Sequence, residues 1–266
     1  MRSVRLALAA CLLTACSASS AAPGDTSRDG GGADTDPGAS TDTGTVTSTS
    51  DTGSANGGDS AEGEEPTRML SAPEQGIATY YAADGTGNCS FDATPNDLMV
   101  AAMDAPEYDN SAVCGECVQL TGPNATITVR IVDQCPGCEM GHLDLSQQAF
   151  AMIADVSLGR VPITWNVVTC DVTGPIAYRF KEGSSQYWTA IQVRNARLPI
   201  AKLEWMSGGS WVAVARQSYN YFVIASGVGT TGPFQVRVTA SDGQELVDTL
   251  PAVVAATVVN GAGQFH

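Results

Sequence analysis

Two carboxylates in the stretch ITVRIVDQCPGCEMGHLDLSQQAF, residues 127–150, are the side chains best placed to do chemistry: Asp133 and Asp144. Asp133 ends a strand pattern in which Ile127, Val129 and Ile131 alternate with Thr128 and Arg130. Asp144 lies eleven positions further on and opens a helical run, with Ser146 as its cap. Carboxylates at a strand end and a helix start can act as acid and base on a substrate, or bind its hydroxyls by hydrogen bonds. The structural alternative is that both form turns and cap helices.

The cysteines frame this stretch. Cys114-Gly-Glu-Cys117 precedes it and Cys135-Pro-Gly-Cys138 lies within it, with Cys89 and Cys170 on either side. An even set of six in an exported chain reads as three disulfides. A zinc ribbon is the rival, because the two Cys-x-x-Cys pairs have seventeen residues between them. An oxidising compartment, the two cysteines left over and the position of Cys135 beside the carboxylates favour disulfides, and no metal is expected. All six precede residue 171, where the stapled domain ends.

The elements that must position these groups are short. Alternation predicts a strand near 76–81, and 83–88 (ADGTGN) is turn chemistry. An apolar segment follows at 98–103, then a hairpin of 117–121 and 127–132 around Gly122-Pro123-Asn124. A helix over 147–154 is stopped by Gly159, and 161–170 (VPITWNVVTC) is a further strand. Many short strands, one helix and dense turns predict a small closed barrel. From about residue 174 cysteine disappears and hairpins follow one another, 202–206 with 211–215 across Ser207-Gly208-Gly209-Ser210 among them. That half reads as a β-sandwich of the immunoglobulin type. Ile191 and Val193 should face its core, which puts Trp188, Gln192 and Arg194 on the outward face. Trp205 and Trp211 read as core.

The N-terminus reads as an export signal: Arg2 and Arg5, then an apolar run over 6–13 too short to span a bilayer. Leu13-Thr14-Ala15-Cys16 resembles the lipobox of bacterial lipoproteins, in which the cysteine carries the lipid. Residues 17–70 are Ser, Thr, Gly, Ala and Asp with few large apolar side chains, the composition of a flexible tether. The expected organisation is a signal at 1–16, a tether at 17–70, a barrel at 71–172 and a sandwich at 173–266. Between 71 and 172 thirteen Asp and Glu stand against two Arg; from 173 onward five stand against seven Lys and Arg. The acidic half argues against nucleic acid and against strongly anionic polymers. A neutral polysaccharide such as a glucan suits both halves, and a membrane is expected only through the lipid on Cys16.

The set GIATYY, CGEC, VRIVDQCPGC and GHLDLSQQAF, with FKEGSSQYWTAIQVRN and SYNYF later in the chain, closely resembles the expansins over about residues 76–250. The resemblance implies an all-β fold: a six-stranded double-psi β-barrel similar to the catalytic domain of glycoside hydrolase family 45, followed by an immunoglobulin-like β-sandwich that is a family 63 carbohydrate-binding module. It maps Asp144 onto the aspartate needed for wall loosening, the counterpart of the hydrolase's general acid. Asp133 and Thr79 map onto residues lining the same groove, and Tyr80 is carried as a further candidate. Cys135 stands where one bacterial relative has a groove tyrosine. The implied bridges are Cys89–Cys114, Cys117–Cys170 and Cys135–Cys138. Tyr187, Trp188 and Tyr219 match the aromatic row on which bacterial expansins bind cellulose, and Lys181 a basic neighbour of it. The hydrolase's base aligns with Ala83, one residue before Asp84. The implied activity is non-hydrolytic loosening of β-glucan contacts by a monomer without a cofactor. The alternatives are an endoglucanase, a peptidoglycan-cleaving enzyme of the rare lipoprotein A type, and a plain glycan-binding module.

Overall fold

A computed structural model describes residues 66–266. The signal, Cys16 and nearly all of the 17–70 segment lie outside the described residues. In chain order the first domain consists of β1 (Glu74–Tyr81), β2 (Val100–Asp104), the single-turn helix α1 (Ala105–Tyr108), β3 (Cys117–Thr121), β4 (Thr126–Cys135), β5 (His142–Ser146), α2 (Gln147–Ile153) and β6 (Val161–Val168). The strands close in the order β1-β5-β2-β4-β3-β6. β1 runs parallel to β5 and β2 parallel to β4, while the remaining neighbours are antiparallel. This is the double-psi β-barrel.

Alternation fills its interior. Ala78, Met103, Val118, Leu120, Val129, Ile131, Leu143 and Leu145 point inward from five strands, Trp165 from the sixth, and Phe150 and Ile153 of α2 close one end. α2 starts as its sequence predicts: Ser146 Oγ accepts from the Ala149 N–H at 3.0 Å. Asp144 does not open that helix. It lies in the middle of β5, between the buried Leu143 and Leu145. Five residues are a weak local signal, and the strand exists because β1, more than sixty residues upstream, pairs with it.

Three disulfides join Cys89 to Cys114, Cys117 to Cys170, and Cys135 to Cys138. The two Cys-x-x-Cys pairs therefore share no site: Cys114 and Cys117 are each bridged to a cysteine outside their own motif.

The second domain contains β7 (Ala177–Phe180), β8 (Thr189–Arg194), β9 (Ile200–Ser207), β10 (Ser210–Arg216), β11 (Phe222–Ile224), β12 (Phe234–Ala240), β13 (Glu245–Leu250) and β14 (Val258–Asn260). They follow one another in the order β13-β12-β9-β10-β11-β8-β7-β14. The two halves join through the short β10–β11 pairing, and both halves bury side chains in one core: Tyr178, Phe180, Ile191 and Val193 from one, Leu203, Val214, Val236 and Val238 from the other. The result is a sandwich whose two layers share an edge. Trp205 packs on this core, whereas Trp211 is half-buried outside it, under the Arg237 guanidinium 4.9 Å from its ring.

Residues 66–70, which composition assigns to the tether, are built into the fold. The Arg68 N–H donates to Thr169 Oγ1 at 2.8 Å, Met69 bridges Val168, and Leu70 packs on the second core.

The face of β8 read as outward is covered by the barrel. Gln192 is fully buried, and its Nε2 donates to the Cys89 carbonyl at 2.8 Å; Arg194 reaches Asp92 at 2.5 Å and the Ser90 carbonyl. From the other side Ser111 Oγ donates to the Gln217 carbonyl at 2.8 Å. Arg216 donates to the carbonyls of Ser111, Ala112 and Ile200, with its guanidinium over the Phe222 ring. Burial lowers the Arg216 pKa to about 10.

Burial at the same junction pushes Glu116 up to about 7, with Arg216 opposing. The charged carboxylate is disfavoured in the fold, so the folded chain binds the proton more tightly than the unfolded one. The associated stability is complete below about pH 4.5 and lost as pH rises through about 7. Glu107 behaves alike and the buried His142 opposes it, so the contribution of Glu116 is isolated by comparison with a variant. Glu116→Gln is expected to match the parent at about pH 4 and to exceed it by about 1–2 kcal/mol at pH 8, less than the full shift because the side chain keeps some contact with solvent. Urea denaturation at the two pH values checks this; a difference that does not change with pH sinks it.

Candidate functional site

Four neighbouring strands place the chemistry in one row. Thr79 of β1 lies opposite Asp144 of β5, Asp144 opposite Ala102 of β2, and Ala102 opposite Asp133 of β4. Ala78 and Tyr80 take the core side of β1, so Thr79 and Tyr81 take the outer side; the same alternation sends His142 and Asp144 outward from β5. Plain alternation after Ile127, Val129 and Ile131 would send Asp133 inward. A bulge between β2 and β4, at Ala101/Ala102, slips the register by one residue and turns Asp133 into the groove. Ala102 has only a methyl group between the two carboxylates, so the floor of the groove stays open.

The hydrogen bonds are directional. Thr79 Oγ1 donates to Asp144 Oδ1 at 2.5 Å and lies 2.8 Å from His142 Nε2. Since the hydroxyl has one proton, Thr79 accepts from the imidazole Nε2–H. Burial lowers the His142 pKa, which keeps the ring neutral in this role. The start of β5 is held at Gly141, whose N–H is shared by Asp104 Oδ2 and Glu107 Oε2, each at 2.9 Å. Burial, with the Asp104 side chain next, pushes Glu107 up to about 7. Asp133 Oδ1 accepts from the N–H of Asn88 at 2.6 Å and from its neighbour Gln134 at 2.8 Å. This close approach requires Gly87, where a Cβ would stand 2.4 Å from the Asp133 carboxyl.

Tyr80 is not brought to the groove: its ring lies against the core residue Phe150, centroids 4.9 Å apart. Tyr81 occupies the groove face instead. Its hydroxyl is buried without a protein partner, and burial, then Asp133, Asp144 and Asp84, raises its pKa. Two-residue periodicity from Thr79 identifies Tyr81, and from Asp144 it identifies His142; neither was singled out from the sequence. Asp84 is exposed and accepts from the N–H and Oγ1 of Thr86 at 2.9 and 2.5 Å, the hydroxyl bond first in lowering its pKa. Cys135 is held in its bridge to Cys138.

The aromatic candidates come from two loops of the second domain. Tyr187 is 75% exposed and Trp188 half-buried, on a tight loop before β8 in which the Ser185 N–H donates to the Trp188 carbonyl at 2.7 Å. Gly227 packs beneath it with φ +67°, where a Cβ would meet the Gln186 carbonyl at 2.0 Å. Tyr219, half-buried, precedes β11. Its ring lies 6.0 Å from that of the buried Tyr221, and Lys181 Nζ lies 5.9 and 5.3 Å from the two rings. β11 pairs antiparallel with β8 from Ile224↔Thr189 to Phe222↔Ile191, so Tyr219 lies toward the Arg194 end of β8, next to the barrel. There the Ser218 carbonyl accepts from Asn88 Nδ2 at 3.2 Å and from the Tyr108 hydroxyl at 3.0 Å. Asn88 thus bonds the groove through its N–H and the Tyr219 loop through its side chain. Asn88 and Ser218 therefore connect the Asp133 end of the groove to the Tyr219 loop.

Among the described residues no group of three or more His, Cys, Asp or Glu is arranged to hold a metal ion, and no helix is long and apolar enough to cross a membrane.

A protein-family profile described as lytic transglycolase matches residues 74–165, the barrel. The chain is 36% identical to Expansin-YoaJ of Bacillus subtilis over 182 residues, covering 66% of this chain and 78% of that protein. It is 32% identical to Expansin-like protein 5 of Dictyostelium discoideum, covering 71% and 83% respectively. Among solved structures, a mutant Clavibacter michiganensis expansin in complex with cellohexaose superposes with a TM-score of 0.69 at 36% identity, covering 73% of this chain and 98% of that one.

Proposed function

Because the chain belongs to the expansin family, we propose that it binds cellulose or a related β-glucan and loosens contacts between wall polymers without hydrolysing them. The aromatic loops of the second domain hold one stretch of a glucan chain by stacking on the flat C–H faces of its sugar rings. The barrel groove takes the next stretch, where Asp133 and Asp144 accept hydrogen bonds from sugar hydroxyls that would otherwise bond a neighbouring polymer. The observation that carries this reading is the continuity of the two surfaces through Asn88, which bonds Asp133 on one side and Ser218, beside Tyr219, on the other. The related Clavibacter protein, crystallised with cellohexaose, supports a polysaccharide ligand.

The lytic reading is the second, favoured by the family description that matches the barrel. An inverting glycosidase needs a base opposite its acid, and the position aligned with that base is Ala83, while the adjacent Asp84 is bonded within its own turn. The test measures extension of cellulosic wall strips under constant load together with the reducing ends released. The parent is expected to extend the strips with no release above buffer. Release that grows with extension would assign the barrel to the lytic class.

A further inference from the structure

A second cleft, with a few charged groups set in a largely apolar lining, lies between the two domains, apart from the groove and the aromatic loops. Its volume is about 480 Å³; Phe91, Asp97 and Arg130 line it from the barrel, Asp171 from the connection, and Arg194 and Asn195 from the sandwich. None of Thr79, Asp133, His142, Asp144 or the aromatic row lines it.

Two guanidiniums share one ring there. Arg130 stands 5.2 Å and Arg194 5.8 Å from the Phe91 centroid. Their hydrogen bonding differs. Arg194 is held by protein partners: it donates to Asp92 Oδ2 and Gln192 Oε1, each at 2.5 Å, and to the Ser90 carbonyl at 3.3 Å, three of its five N–H groups. The Arg130 guanidinium donates no hydrogen bond to a described residue and forms no ion pair; it lies against the Phe91 ring, in the fields of Asp97 and Arg194. Burial and the charge of Arg194 both disfavour its cation, and Asp97 only partly offsets them. A planar guanidinium with free donors, desolvated in a cleft, matches a carboxylate.

The cleft is too roomy for a bare anion, which would also face the carboxylates of Asp97 and Asp171. Those carboxylates are instead acceptors for hydroxyl groups. A ligand that brings one negative charge to Arg130 and several hydroxyls to the acids satisfies both sets, and the volume falls within the range of small-molecule sites. We propose that this cleft binds a hexuronic acid residue, with its carboxylate on Arg130 and its hydroxyls on Asp97 and Asp171. The acidic barrel repels a densely charged polymer, but an isolated uronate on an otherwise neutral chain meets the single cation of Arg130.

The test titrates the ¹⁵N-labelled protein with sodium D-glucuronate, and separately with D-glucose, acetate and inorganic phosphate. Glucuronate is expected to bind saturably, to shift the resonances of Arg130 and Phe91, and to bind more tightly than any of the other three. Arg130→Gln is expected to weaken it by about tenfold or more, with cellohexaose binding unchanged. If that variant does not fold, Arg130→Lys serves: it keeps the charge but loses the planar fork, and is expected to weaken glucuronate binding about threefold or more. The proposal is overturned if glucuronate does not saturate, if acetate or phosphate binds as tightly, or if Arg130→Gln, or Arg130→Lys in its place, binds it like the parent.

Discussion

Asp144→Asn is expected to lower wall extension by about 10- to 100-fold while leaving retention on cellulose and thermal stability near those of the parent. The two side chains have the same shape, so the change is chemical. In the parent, one carboxylate oxygen accepts from Thr79 Oγ1, whose own acceptor site is taken by His142. The second oxygen is left to accept from the groove. In the asparagine variant the carbonyl oxygen keeps the Thr79 bond and the amide turns its NH₂ toward the glucan. A donor then stands where the sugar hydroxyl needs an acceptor. A hydrogen bond to a charged group contributes about 1.5–3 kcal/mol, which is the source of the expected factor. Stability changes little because Asp144 is half-exposed and its Thr79 bond survives. Retention changes little because the aromatic row belongs to the other domain. Extension by the variant equal to that of the parent would remove Asp144 from the mechanism and leave a plain binding module.

The largest effect on stability is expected from the double substitution Cys117→Ala, Cys170→Ala, at about 4 kcal/mol. The bridge spans 53 residues of sequence, against 25 for Cys89–Cys114 and 3 for Cys135–Cys138. In the chain-entropy account a longer closed loop removes more freedom from the unfolded chain, giving about 3.5 kcal/mol for the second bridge and under about 2 kcal/mol for the third. The Cys117–Cys170 bridge also fastens the start of β3 to the segment after β6, where the Cys170 N–H donates to the Arg197 carbonyl of the second domain at 2.9 Å. Chemical denaturation of the three double variants gives the ranking. A cost below about 1 kcal/mol for the longest bridge, or a larger cost for Cys135–Cys138, contradicts it.

Local chemistry is legible in this chain wherever a residue's neighbours in sequence are also its neighbours in space. The hairpin of β3 and β4, the Ser146 cap, the Gly208-Gly209 turn and the inward faces of β4 and β8 all follow from periods of two and from turn residues. The bridge pairing was expected from the family motifs, because spacing alone leaves six cysteines with fifteen connectivities. Asp133 and Asp144 are recognisable as candidates from their types and from the same motifs.

What sequence alone determined is therefore the architecture in outline, the acidic barrel and near-neutral sandwich, and the residue types from which a groove and an aromatic surface can be made. Tertiary structure decided which of them meet. β5 is a strand because β1 pairs with it in parallel, and that crossover pairing places Asp144 against Thr79 and His142. A one-residue bulge against β2 turns Asp133 outward, alternation puts Tyr81 rather than Tyr80 on the groove face, and the barrel covers the β8 face that alternation alone leaves to solvent. Each of these depends on strands brought together from distant parts of the chain, where register and docking are set by packing and by backbone hydrogen bonds that no local pattern encodes.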